Sequence, residues 1–278
     1  MPKKILGCIV LIILARFSPD QAFAQTSIKT EMDWGTGRLS VLATHALGPN
    51  ILPKTHPRTL AVLERELPAL LMEDIGNLPW DRFGNLEEYI KRVQSSMNSV
   101  EKLAESLNRK WSRISENRSF LEAFYTLDLA KLLPKFFPVT DRLNLPRAPV
   151  GWVPTPKNDW TGIVIYVSEN TRVWGTGISS PPRPALYARI LSDDLTVLSD
   201  PSRSEENFLS YHSVANRNKI DSIVGRRPYR TMAGGLYGEF PCDIVLSNAD
   251  VKRILAEDSG REALLTGKIV ILLDSFPK

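Results

Sequence analysis

Three short stretches set tryptophan beside threonine and glycine: DWGTGRLSV at Asp33–Val41, DWTGIVIYV at Asp159–Val167, and VWGTG at Val173–Gly177. Glycine loops can cradle phosphate, because a bare backbone points its N–H groups at the anion. That chemistry needs the loop to follow a strand and open a helix. Here Gly35, Gly37 and Gly162 precede runs that read as strands. Gly175 and Gly177 lead into ISSPPRP, where proline forbids a helix start. Gly234 and Gly235 lead into LYGEFP, again without a helix. The pattern therefore predicts an architectural device: glycine permits a close backbone approach and tryptophan covers the edge of a sheet.

Other chemistry is equally sparse. The three histidines, His45, His56 and His212, have no neighbours at metal-ligand spacing with a second matching pair, so no metal and no cofactor is expected. No G-x-S-x-G elbow occurs, and Tyr211-His212-Ser213 reads as a polar loop rather than part of a triad. Asp193-Asp194 and Glu205-Glu206 read as solvated turns, and Glu87-Glu88 as the first turn of a helix, where negative charge favours the dipole. Cys242 opens the apolar run CDIVL and reads as a small buried hydrophobe. No catalytic residue is assigned.

Two features point to binding. The apolar positions Leu86, Ile90, Val93, Met97, Val100, Ala104, Leu107, Trp111 and Ile114 step by fours and threes, which predicts one long helix over 85–114. Asn85 and Glu88 at its start have capping-box spacing. The stripe can serve as a seam for another subunit (Ile90, Val93, Met97, Val100 and Leu107) or lie on the domain's own sheet. The second feature is basic: Arg217, Lys219, Arg226, Arg227 and Arg230 fall within NRNKIDSIVGRRPYR. It reads as a solvated loop or as a contact for an anionic envelope surface.

The elements that must position these residues follow from composition and punctuation. The N-terminus has Lys3 and Lys4, an apolar run from Ile5 to Ala15, and Ala22-Phe23-Ala24, the three-part grammar of a cleavable export signal. Lipidation at Cys8 is disfavoured, because a lipidation box follows the apolar run and ILGC precedes most of it. Removing residues 1–24 from the 278 leaves 254, and lowers the net charge from +4 to about +2, which gives no reason to expect nucleic acid. Only Cys242 then remains, so the exported chain has no disulfide to form within itself. Domains are expected at 25–143 and 160–278, joined by a proline-rich linker over 144–159.

In the first domain RLSVLAT reads as a strand, residues 57–75 as a helix striped by Leu60, Leu63, Leu67, Leu70 and Leu71 that Pro68 should kink or divide, and FLEAFYTLDL as a second strand. An extra strand near Trp111–Ser115 is an alternative. In the second, TGIVIYV, Leu186–Leu191 and Leu195–Leu198 read as strands. CDIVL is a strand followed by a helix capped by Ser247 and ending near Gly260, and GKIVILLD a last strand. Residues 200–240 resist assignment. The fold class is α+β: a small sheet with two packed helices, then a mixed α/β sheet.

The order of elements over 33–130, with its NLEE helix start and FYTLDL strand, resembles the small envelope lipoprotein family of flagellated double-membraned bacteria, which includes flagellar basal-disk components. TGIVIYV, PALYARILSDD, CDIVLSNADVKRI and GKIVILLD resemble uncharacterised exported bacterial proteins with the same two-part layout. The resemblance implies an assembly role in the envelope, near the flagellar motor, with envelope proteins or self-association as partners. Gln25 stands where such lipoproteins carry their cysteine. The expectation is a periplasmic, non-enzymatic interaction protein. The alternative is an envelope hydrolase or glycan-binding protein with its site in the 200–240 loops.

Overall fold

The computed structural model describes residues 26–47, 56–93, 98–137, 143–148, 158–203, 209–215 and 220–274. The expected leader with Cys8, and Met97, Glu205, Glu206, Arg217, Lys219 and most of the proline-rich stretch, lie outside them. The protein is α+β, with helices beside several separate sheets.

The N-terminal half is built on an antiparallel sheet. Strands β1 (Thr26–Asp33) and β2 (Arg38–Ala46) form a hairpin whose turn is Trp34–Gly37, with Gly37 at φ 66°. Strand β1, unforeseen in the sequence, makes the first tryptophan–glycine stretch a hairpin turn. Strands β5 (Asn108–Ile114) and β6 (Phe120–Asp128) complete the order β1-β2-β6-β5. Alternation puts Leu39, Val41 and Ala43 of β2 and Leu121, Ala123, Tyr125 and Leu127 of β6 on one buried face. Helix α1 (His56–Gly76) contributes Leu60, Leu63, Leu67, Leu71 and Ile75 to the same core. It runs through Pro68 without dividing, and Leu70 is turned out, 38% exposed. A short hairpin follows α1: β3 (Pro79–Asp81) and β4 (Gly84–Asn85).

The expected long helix over 85–114 does not form. Helix α2 (Leu86–Arg92) starts at a complete capping box: the Asn85 side chain accepts from the Glu88 N–H, and the Glu88 side chain accepts from the Asn85 N–H. Helix α3 (Asn98–Glu105) is separate, and Trp111 and Ile114 lie in β5. The four-and-three spacing is met in pieces. Ile90 faces the core from α2 and Val100, Leu103 and Ala104 from α3, while Val93 is 47% exposed. Helix α4 (Leu129–Phe136) follows β6, capped by Asp128.

The C-terminal half holds two four-stranded sheets. One is wholly parallel, in the order β12-β16-β7-β13: β12 (Ser210–Ser213), β16 (Ile269–Leu273), β7 (Ile163–Val167) and β13 (Tyr229–Met232). The inner strands β7 and β16 are apolar on both faces, as a doubly covered sheet requires. The other sheet is mixed, in the order β11-β10-β15-β14: β10 (Ile190–Ser192), β11 (Val197–Ser199), β14 (Gly235–Tyr237) and β15 (Asp243–Leu246). The expected hairpin turning at Ser192-Asp193-Asp194 is present, although its first strand starts at Ile190 rather than Leu186. A two-stranded hairpin joins β8 (Thr171–Arg172) and β9 (Ser179–Ser180) around Gly175. Helix α5 (Asp221–Val224) precedes β13. Ser247 caps helix α6 (Asn248–Ala256) by accepting from the Asp250 N–H. The helix does not continue to Gly260, which instead lies inside α7 (Asp258–Leu265). Among the described residues no helix is long and apolar enough to cross a membrane.

Candidate functional site

The side chains with chemical potential converge where the two halves meet. The turn Trp34–Gly37 docks on strand β12: the Trp34 carbonyl accepts from the Tyr211 N–H at 3.0 Å, and the Trp34 ring meets Tyr211 edge-on, centroids 6.1 Å apart. The Ser210 hydroxyl donates to the Gly35 carbonyl and lies 2.9 Å from His212 Nε2. A hydroxyl has one proton, so while it is held by the Gly35 carbonyl the bond to His212 requires the tautomer that carries its proton on Nε2. A Cβ on Gly35 would lie 2.8 Å from His212 Cε1, so the glycine lets the two halves touch. Tyr211-His212-Ser213, expected in a loop, is strand β12.

A second fastening uses the β3–β4 hairpin. The Pro79 and Trp80 carbonyls accept from the Leu186 and Tyr187 N–H groups, and the Phe240 N–H donates to the Arg82 carbonyl. Trp80 stacks on Tyr187 at 4.1 Å. The Asp243 carboxylate, fully buried, accepts from Arg189 Nη2 at 2.6 Å, Arg189 Nε at 3.0 Å and the Arg189 backbone N–H at 2.9 Å. Arg82, from the other half, lies 3.5 Å from the same oxygen. Burial pushes the Asp243 carboxyl up to about 6, against the pull of Arg189. Burial likewise raises the Tyr211 and Tyr187 hydroxyls and the Cys242 thiol, which is the buried hydrophobe its sequence suggested.

The other two tryptophan–glycine stretches also fasten one segment to another. Trp160 packs on Tyr229, while the Thr161 hydroxyl donates to the Val224 carbonyl and accepts from the Arg227 N–H. The Trp174 N–H donates to the Leu236 carbonyl.

Of the residues singled out for interaction, Ile90 and Val100 are core, Leu107 is partly buried, and Val93 stands alone at the surface. The helical seam is thus withdrawn as a binding face. Arg226, Arg227 and Arg230 are exposed, the last on the edge strand β13. Among the described residues no group of three or more His, Cys, Asp or Glu is placed to hold a metal ion.

The face that sequence reasoning missed is the outer side of the N-terminal sheet. Strand pairing aligns Lys29, Leu42, Phe124 and Trp111 in one row across all four strands. The Trp111 and Phe124 rings stack at 5.7 Å and 17°, with Trp111 41% exposed and Arg113 over its ring. Polar rows flank this one: Ser27, Thr44, Glu122 and Arg113 on one side, Glu31, Ser40, Thr126 and Asn108 on the other. The central row, with Glu31 and Ser40 on one side and Glu122 and Arg113 on the other, lines a depression of about 370 Å³.

Fold and seam together define a two-part α+β protein whose halves share polar and aromatic fastenings. Residues 25–135 match the family model for the N-terminal domain of Treponema pallidum Tp0624, and residues 162–275 match that for its second domain. The matches fall on the two halves in order, and neither description names a flagellar component, an activity or a ligand. Among curated proteins none matches the chain.

Proposed function

We propose that this is an exported, non-enzymatic binding protein of the cell envelope, in which the fastened halves hold the outer face of the N-terminal sheet as a rigid contact surface. One observation carries the reading. Ser210, His212 and Asp243, the side chains best suited to chemistry, are engaged in joining the halves, while the Trp111–Phe124 row stands open. Tryptophan and arginine, here Arg113 over the Trp111 ring, are the residue types enriched in binding hot spots. The export-signal grammar of residues 1–24 supports the envelope location, and the resemblance to envelope lipoproteins supports an assembly role beside the flagellar motor.

The test is photo-cross-linking in intact cells from a reactive side chain placed at Leu42, with a second at exposed Glu239 as control. A discrete adduct specific to position 42 is the expected result. The same adducts from both positions would remove the sheet face as the binding surface. Mass spectrometry of the mature N-terminus should find Gln25.

A further inference from the structure

Resting on that reading of the sheet face, we propose that its occupant is a neutral glycan, with pyranose rings lying along the Lys29–Leu42–Phe124–Trp111 row. The ligand class follows from how the face is striped. The row is one residue wide, and its apolar part, Leu42, Phe124 and Trp111, crosses three strands, roughly 10 Å at the usual strand spacing, with Lys29 at its end. Hydroxyl, amide and charged groups border it on both sides: Ser27 bonded to Thr44 at 2.7 Å and Arg113 to Glu122 at 2.8 Å on one flank, Glu31, Ser40, Thr126 and Asn108 on the other. A pyranose has the complementary pattern, an apolar C–H face edged by equatorial hydroxyls that both donate and accept. A lipid chain has no polar groups to match the flanking hydroxyls, amide and charges. A protein partner of ordinary affinity needs roughly 800 Å² on each side, far broader than one narrow row.

Charge narrows the class further. Lys29 and Arg113 balance Glu31 and Glu122, so the three rows carry no net charge to attract a polyanion or a polycation. Its extent suits more than one sugar. The depression of about 370 Å³ adjoins a second of about 390 Å³ that shares Arg113 and Glu122 and runs on past Phe120, 43% exposed, to the turn at Ser115–Asn117. The Arg113–Glu122 pair stands at the junction of the two, placed to donate to one hydroxyl and accept from the next.

The experiment is calorimetric titration of the purified protein with a β-1,4-linked N-acetylglucosamine tetramer and, in parallel, with a sulfated oligosaccharide of equal length. Binding of the neutral tetramer that falls about tenfold in Trp111→Ala, and recovers most of its strength in Trp111→Phe, is expected. Circular dichroism checks that the variants stay folded, and Lys29→Ala, at an exposed strand position, gives a second, milder loss. Equal binding by Trp111→Ala would put the sugar elsewhere and overturn the proposal. Tighter binding of the sulfated chain would overturn its neutrality. Absence of tetramer binding, together with protein adducts from position 42 in cells, would overturn the glycan while leaving the contact face standing. Absence of both would remove both.

Discussion

Asp243 places a carboxylate where two arginines from different halves of the protein reach it, yet burial outweighs the pull of Arg189 and its pKa rises to about 6. An acid whose folded pKa is raised favours the folded state most when protonated. Its contribution is therefore present below the unfolded value near 4 and is lost as pH climbs through 6, a swing of about 3 kcal/mol. Other carboxylates slope the opposite way: Asp250, bonded to Ser247 and Tyr229, is held below its ordinary range. The clean readout is thus a difference. The stability of the protein minus that of Asp243→Asn, measured by urea unfolding at pH 4, 5, 6 and 7, should fall as pH rises from 4 to 6 and level above it. A difference that rises over that window would show that the arginines dominate. None of this was legible in the sequence, because Arg82, Arg189 and Asp243 are far apart in the chain and nothing local marks them as partners.

At the scale of elements, local chemistry was legible and tertiary partnership was not. The Asn85–Glu88 capping box, the Ser247 cap and the β-branched run at Ile163–Val167 declare themselves within a few residues, and each forms as its types dictate. The long helix fails for a definite reason. Steps of four and three at Leu86, Ile90, Val100 and Ala104 are also what two short helices on one core produce, and Trp111 continues the count only by coincidence. In β5 Trp111 instead shares the outer face with Arg113, alternates with Ser112, and pairs with Phe124. The aromatic face was hidden for a related reason: FLEAFYTLD carries aromatics on both sides of the strand, so alternation alone does not say which side is buried. The tryptophan–glycine stretches lie at two hairpin turns and one strand start, and their use in joining elements needs the fold. Their glycines are not equivalent. A Cβ at Gly162 would lie 2.7 Å from Val224 Cα and 2.8 Å from the Lys268 carbonyl, whereas one at Gly177 would meet nothing within 4 Å. Gly162→Ala should cost about 2 kcal/mol or more, and Gly177→Ala about 0.5 or less, in chemical denaturation. Equal costs would mean that the α5–β7 approach is loose.

For the molecule as a whole, the seam decides whether two halves behave as one. Leu186 and Tyr187 of the C-terminal half pack into the N-terminal core, and Trp34 of the N-terminal half packs against both cores. Trp80 is 1% exposed, closed in by Tyr89 and Phe137 from its own half and by Tyr187 from the other. Neither half can unfold without stripping the other of buried aromatic surface and leaving Asp243 with one arginine fewer. Unfolding in urea should therefore be a single transition, with circular dichroism and tryptophan fluorescence superimposing. Tyr187→Ala combined with Arg82→Ala removes the stack and the cross-seam ion pair while leaving both sheets their own strands. That variant should unfold in two separable steps, and Trp80→Ala, which empties a site shared by both, should lower stability by about 4 kcal/mol. Two transitions in the unaltered protein would mean that the fastenings are too weak to couple the halves. The sheet face would then be displayed by the N-terminal half alone, with the C-terminal half contributing nothing to its rigidity.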